Sequence, residues 1–111
     1  MARSYVPEAG DVVWLEFSPQ AGHEQAGHRP ALVLSPASYN GKTGMMVCCP
    51  MTTHVKGYPF EVVVGTNSPS AVLADQIRSL DWRARGAVRK GRAPKAVLEE
   101  VRAKIRALIG G

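Results

Sequence analysis

The first clear pattern along the chain is an alternation of apolar positions over residues 11–17. Val13, Leu15 and Phe17 fall on one face of an extended segment, and Trp14 falls on the other. Neighbouring side chains of a strand point to opposite faces, so this segment is predicted to be a strand. Similar short apolar runs predict further strands at residues 29–35, 45–49, 60–64, 71–77 and 83–92.

The period changes near the C-terminus. Val97, Val101 and Ile105 recur at helical spacing, Pro94 precedes them and Gly110 follows, which predicts a helix over residues 94–110. Residues 35–42 carry turn chemistry. Short strands followed by one helix favour an α+β fold that is mainly β, a small barrel or strongly curved sheet of antiparallel strands with a C-terminal α-helix.

Length and composition add limits to this picture. A chain of 111 residues that is 45% hydrophobic predicts a single domain over residues 1–111 with a real core. No window approaches the ~18 consecutive apolar residues of a membrane span, and no secretory signal is visible, so we expect a cytoplasmic protein without a membrane segment. Cys48 and Cys49 are adjacent and should stay reduced, and no spacing suggests metal ligands, so no metal or cofactor is expected.

The charge is uneven along the chain. Residues 1–77 hold four Lys or Arg against six acids, whereas residues 78–111 hold ten against three. The basic tail contains Arg83, Arg85, Arg89, Lys90 and Arg92. Such a patch favours a polyanion or an acidic protein as partner, and the alternative is a solvated face that binds nothing.

Two polar segments carry candidate chemistry. The loop over residues 20–28 exceeds the roughly 2–5 residues of a usual hairpin connection, and it delivers Arg29 to the start of a strand. The planar fork of an arginine suits a phosphate. The second segment, residues 50–60, contains Thr52, whose hydroxyl can donate a hydrogen bond. Alternatively, Arg29 pairs with an acid such as Glu24, and Thr52 bonds its own backbone.

Six segments in order carry a resemblance to a known family. They are Gly10-Asp11-Val12-Val13-Trp14, Gln25-Ala26-Gly27-His28-Arg29-Pro30, Asn40-Gly41-Lys42-Thr43-Gly44, Thr52-Thr53 with Lys56-Gly57-Tyr58-Pro59-Phe60, Leu73-Ala74-Asp75-Gln76, and Trp82-Arg83-Ala84-Arg85. In these the chain resembles the MazF/PemK toxins along nearly its whole length. The resemblance implies a barrel similar to SH3 domains and a homodimer. It also implies an endoribonuclease that cuts single-stranded RNA, including mRNA, at specific sequences without metal, inhibits translation and growth, and is neutralised by an acidic antitoxin of the MazE type.

The resemblance also implies roles for single residues. Arg29 and Thr52 correspond to the family's catalytic arginine and threonine, and Glu24 to a position that supports activity by accepting a proton or orienting Arg29. His28 is a candidate proton acceptor because histidine titrates near neutrality. It would nevertheless face away from Arg29 if both lie on the strand, and then it could anchor the loop instead. His54, a loop histidine near Thr52, stays open.

Other residues are expected to contact RNA, and two alternatives to an enzyme remain. The predicted RNA-binding residues are Gln20, Gly22, Gln25, Gly27, Lys56, Arg83 and Arg85. Trp14 is expected to pack in the barrel, and Trp82 at its rim or at a dimer interface, although either ring could stack on bases. A toxin of the same fold that acts by protein–protein contact, such as a gyrase poison, would not depend on Arg29 and Thr52. A plain RNA-binding barrel would need exposed aromatics, and only 6% of residues are aromatic.

Overall fold

One antiparallel sheet and two helices make up the computed structural model, which describes residues 4–18, 22, 25 and 27–111. The strands are β1 (Asp11–Glu16), β2 (His28–Val33), β3 (Met45–Thr52), β4 (Glu61–Val64), β5 (Ser70–Leu73), β6 (Arg78–Asp81) and β7 (Val88–Arg92). The helices are α1 (Ala37–Thr43) and α2 (Lys95–Ile109), and a short 3-10 turn covers Ala74–Gln76.

Strand β3 determines the shape of the sheet. It pairs with β2 along one edge, while on its other edge its first half pairs with β6 and its second half with β5. A strand that changes partners midway turns a corner, and the sheet curls into a half-barrel in the order β4-β5-β3-β2-β1-β7. The predicted fold class, mainly antiparallel β with a C-terminal helix, is confirmed.

The sheet is buried on both faces. On the inner face Val13, Leu15 and Phe17 are fully buried, as the alternation predicts. On the outer face, Val101 and Ile105 of α2 pack into a second apolar cluster. Helix α2 ends at Gly110, whose φ of 78° is the left-handed conformation that glycine adopts readily. The predicted helix is therefore present, and it covers part of the outer face.

Three predictions of local structure were wrong. Residues 37–43 form a short helix instead of a turn, and its buried Asn40 donates hydrogen bonds to the carbonyl oxygens of Pro7 and Ser35. The predicted strand over 71–77 stops at Leu73, where the 3-10 turn begins. The strand predicted from residue 83 begins only at Val88, because the chain first folds back and the Ala87 amide donates to the carbonyl of Trp82.

The two tryptophans exchange their expected places. Trp82 is buried, and its indole N–H donates to the carbonyl oxygen of Asn40 at 2.9 Å. Trp14 lies half-buried on the outer face of β1, beyond the part that α2 covers. Helix α1 explains the burial of Trp82, since its Asn40 carbonyl supplies the acceptor that a buried indole N–H needs. Among the described residues, no helix is long and apolar enough to cross a membrane.

Candidate active site

A cavity of about 820 Å³ opens where β2 begins and β3 ends, and we call it the loop pocket. Its lining residues are Gln25, Arg29, Thr52, His54, Lys56, Gly57, Tyr58, Glu61, Leu73, Asp75 and Gln76. The pocket therefore brings together Arg29 and Thr52, the two predicted catalytic residues, with Gln25 and Lys56, which the sequence assigned to RNA.

Strand pairing brings the arginine and the threonine together. Ala31 of β2 pairs with Pro50 of β3 in antiparallel register. Continuing this register by two residues, back along β2 and forward along β3, brings Arg29 opposite Thr52. The guanidinium Nη1 donates to the carbonyl oxygen of Met51 at 3.3 Å, which ties the side chain to β3. A planar cation with five donors can hold this contact and still present donors to an anion.

The Thr52 hydroxyl is oriented by its own backbone. Its Oγ1 accepts a hydrogen bond from the amide of His54 at 3.0 Å, so the turn-type contact considered from the sequence exists. Accepting this bond uses a lone pair of the oxygen, and the hydroxyl proton can still be donated to a ligand. Contact with the backbone and a role in binding are thus compatible at Thr52.

A buried carboxylate shapes one wall of the pocket. Glu61, at the start of β4, is 9% exposed, and its Oε1 accepts hydrogen bonds from the amides of Lys56, Gly57 and Tyr58 at 3.1, 2.8 and 3.2 Å. Gly57 has a φ of 78°, which other residues rarely adopt. Glu61 therefore holds the loop over residues 56–58 and keeps the Lys56 backbone beside the pocket.

Two further hydrogen bonds join loops around the pocket to the 3-10 turn. The Tyr58 hydroxyl donates to Asp75 Oδ2 at 2.9 Å, and this bond raises the pKa of Tyr58. The amide of Gln25 donates to Gln76 Oε1 at 3.0 Å, which attaches the described end of the β1–β2 loop to the 3-10 turn. Side chains from the 3-10 turn thus hold two loops around one cavity.

The charges of the pocket suit an anion. Arg29 and Lys56 are its cations, while the carboxylates of Glu61 and Asp75 accept hydrogen bonds from groups of the walls. Carboxylates that accept hydrogen bonds in this way are partly screened by their donors, and the two cations line the same cavity. In the described part of the chain, no group of three or more His, Cys, Asp or Glu could hold a metal ion.

His28 does not join the loop pocket. Its ring stacks on Trp14 with centroids 5.5 Å apart and an interplanar angle of 8°, on the outer face of the sheet. Gly27 leads the chain into β2 with a φ of 81°, and its amide donates to Ser18 Oγ. Gly22 is exposed, with a φ of 57°. Glu24 and Gln20, predicted to support catalysis and to bind RNA, lie outside the described residues.

The two arginines predicted to bind RNA lie away from the pocket and contact the protein itself. The Arg83 guanidinium lies 4.6 Å from the centroid of the Trp82 ring and donates to the Gly41 carbonyl. Arg85 Nη1 donates to the carbonyls of Glu16 and Ser18 at 3.0 and 2.9 Å. Both side chains thereby stabilise turns of the fold, and their contact with RNA stays a prediction.

Sequence reasoning missed part of the site. The sequence pattern places Glu61 only within a predicted strand and gives no sign that its carboxylate accepts hydrogen bonds from the loop amides. Asp75 was noted only within a motif, and its bond to Tyr58 joins residues 17 positions apart. The expectation for the cysteines fits their surroundings, because burial raises the pKa of the Cys48 and Cys49 thiols to about 12 and so keeps them protonated.

Comparison with known proteins adds the family. Residues 8–109 match the model of the family described as PemK-like, MazF-like toxin of type II toxin–antitoxin systems. The chain belongs to this family. It is 55% identical to the endoribonuclease toxin MazF of Escherichia coli K12 over 111 residues, which cover 99% of this chain and 100% of that protein.

Solved structures agree with this assignment. A crystal structure of MazF from Deinococcus radiodurans matches with a TM-score of 0.93 and 58% identity, over 97% of this chain and 100% of the other. A MazE–MazF crystal structure from the same organism matches with a TM-score of 0.86 and 59% identity, over 96% and 98% of the two chains. The family that the sequence motifs indicated is thereby confirmed.

Proposed function

We propose that this protein is an endoribonuclease toxin whose loop pocket cuts single-stranded RNA by using the 2′-hydroxyl of the substrate as the nucleophile. The observation that carries the proposal is the position of Arg29 beside Thr52 in an open cavity. Its relatives at 55% identity are named endoribonucleases, and the shared family makes the same activity the function of this chain.

The reaction exchanges one phosphorus–oxygen bond for another. The 2′-oxygen attacks the adjacent phosphorus, the bond from phosphorus to the 5′-oxygen breaks, and the products end in a 2′,3′-cyclic phosphate and a 5′-hydroxyl. Arg29 donates to the phosphoryl oxygens, where negative charge increases in the transition state. Thr52 donates its hydroxyl to the same group and helps to align the attack. The nucleophile belongs to the substrate, so we propose that cleavage needs no metal.

A proton must leave the 2′-hydroxyl during the attack. Arginine stays protonated at neutral pH and is a poor acceptor. His54 lines the pocket two residues after Thr52, and its backbone amide donates a hydrogen bond to the Thr52 hydroxyl oxygen. We assign proton acceptance to His54. The leaving 5′-oxygen takes a proton from water, which reaches the open pocket.

The partners follow from the family. The MazF of Deinococcus radiodurans was crystallised with MazE, and we propose that this chain is likewise neutralised by an acidic antitoxin. We also propose that it acts in the cytoplasm as a homodimer. Arg29 and Lys56 would attract both an acidic peptide segment and RNA, so antitoxin and substrate should compete for the loop pocket.

Mapping of RNA ends tests the proposal directly. The purified protein is incubated with a long single-stranded RNA in EDTA, and the 5′ and 3′ ends of the fragments are identified. We expect 5′-hydroxyl and cyclic phosphate ends at a recurrent sequence. Cleavage that needs added magnesium, or that persists when the scissile nucleotide lacks its 2′-hydroxyl, would refute the mechanism. Absence of any cleavage would refute the function.

A further inference from the structure

A second depression lies on the other side of the catalytic pair. It measures about 470 Å³, and we call it the Trp14 groove. Its lining residues are Val12, Trp14, His28, Arg29, Pro30, Met51, Thr52, Thr53, Ser68, Ser70 and Lys90. Arg29 and Thr52 line this groove as well as the loop pocket, so the two cavities meet at these residues.

The strand pairing explains why an aromatic surface lies open here. Trp14 pairs with Pro30 of β2 on one side and with Val88 of β7 on the other, so these side chains share the outer face of the sheet. Helix α2 covers this face at Leu32 and leaves the end with Trp14 uncovered. Val88 is 60% exposed, and with Trp14 and His28 it lines a further hollow of about 260 Å³.

The aromatic surface is ordered and lies beside a cation. The nearly parallel stack of Trp14 and His28 holds both rings on one side, and Lys90 Nζ lies 5.6 Å from the centroid of the Trp14 ring. Arg89 and Arg92 of the same strand pair with Asp11. In the part of the chain that the structure describes, no carboxylate lies within ion-pairing distance of Lys90, so its charge is available to a ligand.

The chemistry of this surface fits a nucleotide. Single-stranded nucleic acids bind where aromatic rings stack on bases beside cations that contact phosphates. The opposite rim carries the hydroxyls of Thr53, Ser68 and Ser70, which can bond sugar and phosphate oxygens, and none of the described residues that line the groove is an acid. An RNA strand with its scissile phosphate at Arg29 continues in both the 5′ and the 3′ direction, and the groove can bind the nucleotides on one of these two sides.

We propose that the Trp14 groove is a binding subsite for an RNA nucleotide that flanks the cleaved phosphate, with its base stacked on Trp14 and His28 and a phosphate bound by Lys90. This rests on the proposed function and extends it. His28 therefore acts in binding, and proton transfer is left to the loop pocket. Stacking tolerates every base, so the subsite adds affinity while the recognised sequence is read elsewhere.

Substrates of different length test the subsite. Around a mapped cleavage site, a minimal oligonucleotide is compared with two others that are extended by two nucleotides, one on the 5′ side and one on the 3′ side. For the wild-type protein, we expect one extension to lower KM about tenfold, which is the effect of one stacked base. We expect Trp14→Leu to abolish that advantage and Trp14→Phe to keep most of it. Tyr39→Leu, which removes an exposed aromatic of α1, is the matched control and should keep the full advantage.

A binding experiment makes the test independent of cleavage. An RNA that carries 2′-O-methyl groups cannot be cut, and its binding is measured by fluorescence anisotropy of an attached dye. Lys90→Gln should weaken this binding and lower the slope of log affinity against log salt by about 0.7, the value for one single-strand phosphate. Because Lys90 is exposed, Lys90→Gln should fold normally, so this variant still tests the subsite if Trp14→Leu fails to fold.

The outcomes separate the two proposals. Two outcomes would overturn the subsite and leave the proposed endoribonuclease activity intact. In the first, neither extension lowers KM for the wild-type protein; in the second, a folded Trp14→Leu variant keeps the lower KM for the extended substrate. A Trp14→Leu variant that loses affinity for an acidic antitoxin peptide, but not for RNA, would mark the groove as a peptide site and would also overturn it. Lack of cleavage together with Trp14-dependent binding of the methylated RNA would refute the proposed function and support the subsite.

Discussion

The pocket on one side of Arg29 and Thr52 is bordered by loops that side chains hold in place, whereas the groove on the other side lies along the face of a sheet. The loop pocket depends on hydrogen bonds between distant segments, such as Tyr58 with Asp75 and Gln25 with Gln76. The aromatic side of the Trp14 groove is formed by residues that strand register places together. A catalytic site needs groups fixed around the reacting atoms, while a stacking surface needs only an accessible ring.

This comparison explains how the two cavities divide the work. Substitutions in the loop pocket should change the rate of the chemical step, because its groups act on the transition state. Substitutions in the groove should change the binding of substrates that are long enough to reach it. Arg29 and Thr52, the proposed catalytic residues, border both cavities, so their loss should be the most damaging change.

The largest effect is therefore expected at Arg29 and Thr52. Arg29→Ala and Thr52→Ala should each lower kcat by roughly 10²–10³, the usual loss when a transition-state donor is removed. Arg29→Lys should also fail, since an ammonium does not replace the guanidinium fork. Single-turnover cleavage measures the rate, and thermal unfolding checks that each variant is folded. Normal rates in folded variants would remove these residues from the mechanism.

The next effect concerns proton transfer in the loop pocket. We expect His54→Gln to lower kcat by about 10², at the lower end for loss of general base catalysis. Single-turnover cleavage by wild type and variant measures this loss, and thermal unfolding checks that the variant is folded. The charged or titratable groups that line the same pocket are Arg29, Lys56, Tyr58, Glu61 and Asp75.

Tyr58 should not replace His54 as the proton acceptor. Its hydrogen bond to Asp75 raises its pKa above the ordinary value, so the hydroxyl stays protonated throughout the neutral range. An unchanged rate in a folded His54→Gln variant would place the proton acceptor elsewhere, and Glu24 would be the next residue to test.

A smaller effect is expected where Glu61 holds the loop. Glu61→Gln keeps the shape but replaces one acceptor oxygen by a donor that opposes the backbone amides of residues 56–58. Loss of charge-assisted hydrogen bonds should lower the free energy of unfolding by about 1–3 kcal/mol. The rate should fall roughly tenfold as the wall loosens, which is our expectation for a positioning residue.

The control for this substitution is Glu100→Gln, because Glu100 is exposed on α2, away from the pocket lining. Denaturant titration and cleavage rates are measured on both variants. Equal stability and equal rates for the two would show that Glu61 does not organise the pocket. A loss of stability without a loss of rate would show that it supports the fold alone.

The structure brings together Arg29 and Thr52, which the sequence assigned to one site, whereas most of the walls around them were not predicted. The positions of Arg29 and Thr52 follow from local motifs and from strand alternation, both of which act over a few residues. The sequence also indicated that His28 would face away from Arg29, as it does. The walls were missed because Glu61 bonds loop amides only after a tight turn, and Asp75 meets Tyr58 only in the folded chain.

The two tryptophans show that local sequence also fails to predict which large apolar side chain is buried. Both are large apolar residues in strand-like segments, and nothing nearby in sequence separates them. Trp82 is buried because the carbonyl of Asn40, 42 positions away, satisfies its indole N–H. Trp14 stays accessible because α2 ends its coverage before reaching it. The alternation of apolar and polar positions carries no information about such long-range partners, so the accessibility of the Trp14 ring could not be predicted from it.

The smallest effect is expected at the basic residues outside both cavities. Arg83 stacks on Trp82 and bonds the Gly41 carbonyl, so Arg83→Gln should change RNA affinity less than twofold and the salt slope hardly at all. The lost cation–π contact should cost about 0.5–1 kcal/mol of stability. Lys90→Gln is the comparison, since it removes the same charge beside the Trp14 groove. Anisotropy titrations at several salt concentrations measure both variants, and a larger loss for Arg83→Gln than for Lys90→Gln would move the RNA path from the groove to the basic tail.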